Sequence, residues 1–412
     1  LEQNYRSTTT ILKAANKLIG NNSARLGKNL WTDGEEGEPI GIYMAYNDID
    51  EANYVVNKIK NSQEQNMTYS ENAILYRVSA QSRVLEEALL REKIPYRVFG
   101  SLRFYERMEI KDALAYVRIT YFQDDDVSLE RIINTPTRGI GNKTISELRS
   151  LAKKNNCSLW EAASYIIKNK LLSARAINAL EEFIKLIQKM SLVSEEKIDQ
   201  QVNQIIKLSG LVSHFKKEKG EKGLARIENL EELVKAASEF ELDEAEESSG
   251  INSMQAFLAH AALESGETQS GDKSNCVHLM TLHSAKGLEF PSIYLVGMEE
   301  GLFPHQRSSN DLKQLEEERR LCYVGITRAK KTLTLTHTQH RRLHGSEYYP
   351  QPSRFIDEIP SELLCEIRLG GSVTNALLTK KMINNEENQS KELTLGRRVL
   401  HAKFGEGVIL NL

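Results

Sequence analysis

Short apolar runs alternate with segments of helical periodicity in the first part of the chain. Apolar positions recur at three- and four-residue spacing within 1–23, 48–60 and 82–93, which predicts a helix in each. The runs at 39–46 and 73–78 are short and apolar enough to be strands. Because strands and helices follow one another in turn, this part of the chain predicts a parallel sheet with crossover helices.

Helical periodicity then dominates from about residue 105 to residue 271. Strand patterns return at Cys276 with VHLMTL, at Ser292 with SIYLVG and at Thr332 with TLTLTHT. Since each outer part would supply only part of a sheet, we expect one α/β domain interrupted by a large all-α insertion. The polar segment 369–392 predicts a linker, and 395–412 predicts the start of a small β unit that the sequence cuts short.

Composition and charge narrow the class of protein. The 54 lysines and arginines against 57 aspartates and glutamates leave a net charge of −3, so any nucleic-acid contact would have to come from local patches. Hydrophobic residues make up 40%, as in ordinary globular proteins, and no apolar stretch approaches the ~20 residues that cross a bilayer. The four cysteines lie far apart in sequence, which indicates neither a disulfide framework nor a zinc ribbon and favours a reducing compartment.

The start of the chain and one missing motif suggest a piece of a longer protein. The sequence begins with Leu1 instead of methionine and shows no signal-peptide pattern. It also contains no G-x-x-x-x-G-K-[ST] string, so no phosphate-cradling P-loop is predicted. The run Asp124–Asp126 is more typical of a solvated or capping loop than of a metal site, and the basic residues within 216–226 are more typical of an exposed face than of a duplex contact.

Two arginines lie beside predicted helix ends. Arg6, in the string NYRS, comes just before a helix, where the positive end of the helix dipole favours a nearby anion. The alternative is an Arg6 in solvent or paired with Glu2. Arg328 follows EEERRLCYVGIT near the end of another helix, where it could equally satisfy the terminal carbonyl groups of that helix.

Two polar loops are further candidates. The stretch 281–290, TLHSAKGLEF, lies between two predicted strands, and ligands gather at the carboxyl ends of strands in open α/β sheets, where we expect this stretch. The alternative is a solvated connection in which Gly287 permits a turn. The string RGIG at 138–141 precedes a helix and could receive a phosphate on backbone N–H groups, or it could be a plain tight turn.

Taken in order, LEQNYRST, AILYRVSAQSR, RGIG, TLHSAKGLEF, GMEEGLFPH and EEERRLCYVGITRA resemble the UvrD/Rep/PcrA family of superfamily 1 DNA helicases, and its PcrA branch from Gram-positive bacteria most closely. The resemblance implies a RecA-like parallel-sheet domain, the second of two in the family, at 1–105 and 272–366. It also implies a helical insertion domain (2B-like) at 106–271, a linker at 367–394 and the start of a Tudor-like unit at 395–412.

The resemblance also implies roles for single residues. For nucleotide binding it implies that Tyr5 stacks on adenine, that Arg6 and Arg328 reach the γ-phosphate as the catalytic arginines, and that Glu289 holds the ribose. For DNA binding it implies contacts to single-stranded DNA from the following residues: Thr281, His283 and His305. The turn of Arg138, Gly139 and Gly141 is similar to the duplex-contacting element of the family, and His344 occupies a position where relatives often carry a larger aromatic residue.

The function implied by the resemblance is that of the C-terminal portion of an ATP-dependent 3′-to-5′ DNA helicase acting in repair and plasmid replication. ATP with Mg²⁺ is the expected cofactor, and the magnesium ligands are expected on a first RecA-like domain outside this sequence. Expected partners are single-stranded DNA, a duplex junction, RNA polymerase and a plasmid replication initiator, in the cytoplasm. The alternative is a non-catalytic DNA- or RNA-polymerase-binding module from a split gene, without ATPase activity of its own.

Overall fold

The structure, a computed structural model, describes residues 3–23, 31–32, 34–64, 66–193, 197–218, 220–241, 252–266, 275–309, 311–343, 346–367, 398–401 and 405–408. Its strands are β1 (Ile40–Ala45), β2 (Asn72–Tyr76), β3 (Tyr96–Phe99), β4 (Val277–Thr281), β5 (Phe290–Leu295), β6 (Ala329–Thr338), β7 (Arg341–Leu343), β8 (Ser346–Tyr348), β9 (Leu364–Ile367), β10 (Arg398–His401) and β11 (Gly405–Val408).

The helices lie between these strands and in one long block. They are α1 (Thr9–Ile19), α2 (Asp48–Glu64), α3 (Ser82–Arg91), α4 (Met108–Tyr121), α5 (Asp126–Ile132), α6 (Asn142–Asn155), α7 (Leu159–Asn169), α8 (Ala174–Ser191), α9 (Ile198–Ser209), α10 (Leu211–Phe215), α11 (Glu221–Glu239), α12 (Ser253–Gly266), α13 (Leu312–Ile326) and α14 (Arg354–Asp357). No described helix combines the length and the apolar character that crossing a bilayer would need.

Seven strands form one sheet in the order β3-β4-β2-β5-β6-β1-β9, and every neighbouring pair in it is parallel. The predicted parallel α/β sheet is therefore confirmed. The edge strands β3 and β9 were not predicted. Each has only four residues and few buried ones, so neither carries a strand pattern of its own.

Both faces of the sheet are covered, as parallel sheets require. Side chains along β2 alternate between the two faces. Ala73 and Leu75 pack on the face covered by α1 and α13. Ile74 and Tyr76 pack on the face covered by α2 and α3. On the first face, Gly325 of α13 lies so close to Leu282 that a Cβ at this position would come within 2.5 Å of that side chain. The glycine thus lets α13 press against the β4–β5 connection.

Between β3 and β4 the described residues form only helices, α4–α12 with a short 3-10 turn at Phe104–Glu106. These helices pack around their own apolar core, which includes Tyr116, Phe183 and Phe257. The run Asp124–Asp126 has a capping role, since Asp125 accepts from the backbone N–H of Ser128 at 3.1 Å. This outcome matches the capping interpretation from the sequence.

Helix α11 is joined to the sheet by buried ion pairs. Lys235 of α11 pairs with Asp48 at the start of α2, and Glu232 accepts from Arg83 of α3 at 2.7 Å. Beside Asp48 lies Arg341, which donates to both carboxylate oxygens of Glu299 at 2.8 Å. Charged groups this deeply buried are stable only when they are paired, so these contacts fix how the helical block meets the sheet.

Two antiparallel hairpins complete the described structure, β7–β8 and β10–β11. The second falls within 395–412, where a small β unit was predicted. His344, the segment 368–397 with most of the predicted linker, and the remaining residues of the C-terminal unit lie outside the described residues.

Candidate functional site

A cluster of charged side chains lies where β5 and β6 begin. Phe290 and Ala329 are the first residues of these two strands and are paired in register, so Glu289 and Arg328 just before them are neighbours. Arg6 reaches the same place from the turn before α1. Asn4 shapes that turn by accepting from the backbone N–H groups of Arg6 and Ser7 at 2.7 and 3.1 Å.

The turn that carries Arg6 is anchored to β6. The hydroxyl of Ser7 donates to the carbonyl of Ala329 at 2.6 Å, and the backbone N–H of Thr8 donates to the carbonyl of Lys330 at 3.2 Å. The N-terminal segment and β6 are far apart in sequence, and these contacts hold Arg6 against the strand that follows Arg328.

Arg328 is half-buried and donates in three directions. Its Nε donates to the carbonyl of Val324 at 3.0 Å, Nη1 to the carbonyl of Leu288 at 3.1 Å and Nη2 to the hydroxyl of Thr327 at 3.1 Å. The first contact is the helix-terminal carbonyl that the alternative interpretation of Arg328 expected. Burial, and then the charge of Arg6, lower the pKa of Arg328, although an arginine stays protonated at neutral pH.

Glu289 lies between two cations. One carboxylate oxygen is paired with Nε of Arg6, and the other lies 2.7 Å from Nζ of Lys330. These contacts, with the hydrogen bond from Lys330 as the largest cause, lower the pKa of Glu289 to about 2. Lys330 was missed by the sequence analysis, because a lysine at the start of an alternating strand carries no signal of its own.

Tyr5 directly precedes Arg6 in the chain and has an exposed ring. The residue is 83% exposed, and its hydroxyl donates to Oε1 of Gln3 at 2.6 Å. An exposed aromatic ring one residue before Arg6 has the chemistry to stack on a base.

The stretch 281–290 was expected at the carboxyl ends of the strands, and this holds for only half of it. Thr281 is the last residue of β4, so Thr281 and His283 do lie at that edge. Glu289 comes just before β5 and therefore lies at the amino edge, on the opposite side of the sheet. Because β4 and β5 are parallel to the same strand β2, the connection between them must run back across the sheet, and this separates the two halves.

At the carboxyl edge a groove of about 940 Å³ brings Thr281, His283 and His305 together, between the strand ends and the first turns of α11. Thr281 shares a hydrogen bond with Ser284 at 3.1 Å, and His283 is exposed. His305 is half-buried, with its Nε2 3.5 Å from a carboxylate oxygen of Glu228 on α11. Three of the predicted DNA-binding residues therefore share one groove.

The turn of Arg138, Gly139 and Gly141 lies apart from this groove, and its arginine points inward. Arg138 donates to the backbone carbonyls of Ile132, Pro136 and Ser209 at 2.9–3.1 Å, with its guanidinium over the ring of Tyr116. These contacts give the Arg138 side chain a structural role, and the expected duplex contact of this turn stays a prediction. Gly139 and Gly141 remain exposed, with open space where a side chain would be.

Within the described residues, no group of three or more His, Cys, Asp or Glu side chains is arranged to hold a metal ion. All four cysteines are free.

Comparison with known proteins identifies relatives over the whole chain. It is 51% identical over 413 residues to DNA helicase II of Escherichia coli K12, covering 100% of this chain and 57% of that protein. It is 39% identical over 436 residues to ATP-dependent DNA helicase PcrA of Staphylococcus aureus Mu50, covering 100% of this chain and 58% of that protein. These identities place the chain nearer to DNA helicase II than to PcrA, unlike the expectation from the motifs.

The chain thus spans less than two thirds of the length of these relatives. A crystal structure described as the C-terminal domain of a possible DNA helicase from Lactobacillus plantarum aligns with 88% of this chain and 98% of that one, at 10% identity and a TM-score of 0.33. A family profile described as the UvrD-like helicase C-terminal domain matches residues 1–340. With this match and these identities, the chain belongs to the family of UvrD-like helicase C-terminal domains.

Proposed function

We propose that this chain is the C-terminal portion of an ATP-dependent DNA helicase that translocates 3′-to-5′ on single-stranded DNA and unwinds duplex. The observation that carries the proposal is the meeting of Arg6, Arg328 and Glu289 at one edge of the sheet, while Thr281 and His283 line a groove at the other. A nucleotide and a nucleic acid strand could then bind to one sheet at the same time.

At the amino edge, Arg6 and Arg328 act on the phosphates. Guanidinium groups that face a transferred phosphoryl group stabilise the charge that develops on it, an effect worth about 10³ to 10⁵ in rate. The exposed ring of Tyr5 stacks on adenine, and Glu289 accepts a hydrogen bond from a ribose hydroxyl. The P-loop and the ligands of Mg²⁺ belong to the first RecA-like domain of the longer protein.

At the carboxyl edge, the groove accepts single-stranded DNA without reading its sequence. Rings stack on bases of any kind and hydroxyls reach phosphates, so His283, His305 and Thr281 suit a strand that must slide. The exposed backbone of Gly139 and Gly141 contacts the duplex ahead of it.

The longer protein has the domain organisation implied by its family. Residues 1–105 and 272–366 form the second RecA-like domain, 106–271 the helical insertion domain, 367–394 a linker and 395–412 the start of a Tudor-like unit. The protein acts in DNA repair and plasmid replication in the cytoplasm, and its partners include RNA polymerase and a plasmid replication initiator.

Replacing His283 with alanine should weaken binding of single-stranded DNA. Loss of one stacking ring costs about 1 to 3 kcal/mol, roughly 5- to 150-fold in affinity, and an imidazole should fall at the low end. Fluorescence anisotropy with a labelled oligonucleotide measures the change. His214→Ala, a change in α10 away from the groove, is the matched control, and equal effects of the two variants would contradict the placement of DNA in the groove.

The purified 412-residue chain should bind single-stranded DNA and show no ATP turnover, whereas the longer protein should show DNA-stimulated turnover. The reason is that this chain contributes only the arginine side of the cleft. A coupled phosphate-release assay on both proteins makes the comparison. ATP turnover by the chain alone would contradict the proposal that the nucleotide site is shared between this chain and the first RecA-like domain. Absence of turnover in the longer protein would favour a non-catalytic binding module.

A further inference from the structure

Lys330 is the residue of the charged cluster that neither the sequence motifs nor the proposed function uses. Its Nζ lies 2.7 Å from Oε1 of Glu289, whose Oε2 is paired with Arg6. Glu289 is therefore the shared counterion of two cations that come from opposite ends of the chain. The backbone carbonyl of Lys330 accepts from the N–H of Thr8, in the turn after Arg6, so both cations are held at fixed positions around the carboxylate.

A break in the register between β5 and β6 places Lys330 beside Glu289. Between the pairs Phe290–Ala329 and Ser292–Thr332, β5 has the single residue Pro291, whereas β6 has two residues, Lys330 and Lys331. Proline has no N–H for the ladder and is tolerated at bulges, where the extra residue re-aims a side chain. The side chain of Lys330 pairs with Glu289. Lys331 is exposed, and its charge interacts with that of Glu71 instead.

The charges in this cluster are accessible to a ligand. The side chains of Arg6, Lys330 and Glu289 are 30%, 37% and 40% exposed. Like any glutamate, Glu289 is charged at neutral pH, and hydrogen bonds and charge from Lys330 and Arg6 hold its pKa far below the ordinary value. The carboxylate therefore competes with an incoming polyphosphate for Arg6. A ligand that takes the Nε–H donor of Arg6 must therefore displace Glu289 from it.

The geometry points to Lys330 as a positioning residue that remains the counterion of Glu289 when a triphosphate draws Arg6 away. This inference rests on the proposed function, because it assumes that Arg6 meets a nucleotide triphosphate. Without Lys330, the departure of Arg6 would leave the carboxylate unpaired beside the negative phosphates, which is unfavourable. A carboxylate has lone pairs enough to keep Lys330 and still accept from a ribose hydroxyl.

The test measures affinity for inorganic tripolyphosphate by calorimetry on the 412-residue chain, with no hydrolysis involved. Lys330→Met should weaken binding roughly 2- to 5-fold more than the matched control Lys331→Met, as expected for a partly exposed pair. Lys330→Arg should restore it, and Arg6→Ala should remove most of it. Equal thermal midpoints would show that every variant is folded.

The deciding comparison repeats Lys330→Met and Lys331→Met in a Glu289→Gln background. The proposal expects the two lysine changes to be equal there, because no carboxylate remains to be held. A larger loss for Lys330→Met in both backgrounds would mean direct phosphate binding by Lys330 and would overturn the proposal. Equal losses in both backgrounds, or no measurable tripolyphosphate binding by the unmodified chain, would overturn it as well.

The outcome is separable from that of the proposed function. If ATP hydrolysis by the longer protein survived the loss of Arg328, the helicase proposal would fail. The tripolyphosphate affinities would still decide the role of Lys330, since they depend only on charge exchange at Arg6 and Glu289.

Discussion

Arg328→Ala in the longer protein is expected to reduce ATP hydrolysis by about 10³-fold or more and to abolish unwinding, while nucleotide binding changes little. The side chain lies next to Arg6 and just before β6, where a guanidinium can meet a phosphoryl group as it is transferred. An interaction that strengthens only in the transition state lowers kcat much more than it alters ground-state affinity.

Steady-state hydrolysis, a forked-duplex unwinding assay and equilibrium binding of a fluorescent nucleotide separate these effects. Arg320→Ala is the matched control, because Arg320 lies on the same helix α13, is 42% exposed and pairs only with nearby glutamates of that helix among its described contacts. Arg328 also donates to Val324 and Leu288, so thermal unfolding must show that the variant is folded. Unwinding at the unmodified rate would rule out the assigned role.

Arg341→Met should destabilise the fold by about 3 to 5 kcal/mol, the range for breaking a buried ion pair by removing one partner. Arg341 is 5% exposed and donates to both carboxylate oxygens of Glu299. It also donates to Glu51 at 2.7 Å. Both glutamates are buried. Burial, with the nearby charge of Glu299, already raises the pKa of Glu51 despite this arginine. Without the cation, two carboxylates would face each other in the interior.

Urea unfolding followed by circular dichroism gives the change in the free energy of unfolding. Arg354→Met is the matched control, since Arg354 also binds one glutamate through two contacts, Glu300 at 2.7 and 2.9 Å, but is 40% exposed. Exposed pairs contribute about 1 kcal/mol at most. Similar losses for the two variants would show that burial is not what makes Arg341 important.

The central strands could be predicted from sequence because their own residues carry the pattern. Every residue of β2 is buried, so an apolar run marks it, and the alternating β6 is long enough to recognise. The edge strands β3 and β9 are different, because they become strands only by pairing with β4 and β1. Short edges of this kind are defined by the neighbouring strand more than by their own side chains.

The site was predicted residue by residue but not in space. The motif 281–290 reads as one unit, and only the parallel pairing of both β4 and β5 with β2 shows that Thr281 and Glu289 lie at opposite edges of the sheet. The inward contacts of Arg138 could not be predicted either, because they include the carbonyl of Ser209 and the ring of Phe183, both distant in sequence. Lys330 could have been found only through the bulge opposite Pro291, which depends on strand register.

The β4–β5 connection has a mechanical consequence. Leu282 and Ala285 within it are completely buried under α1 and α13, and Gly325 lets α13 approach Leu282 without a gap. A close-packed segment is hardly compressible, so it cannot deform to absorb a displacement of either end. It is therefore expected to move as a rigid body, so that a displacement of Thr281 at the carboxyl edge of the sheet is transmitted to Glu289 at the amino edge.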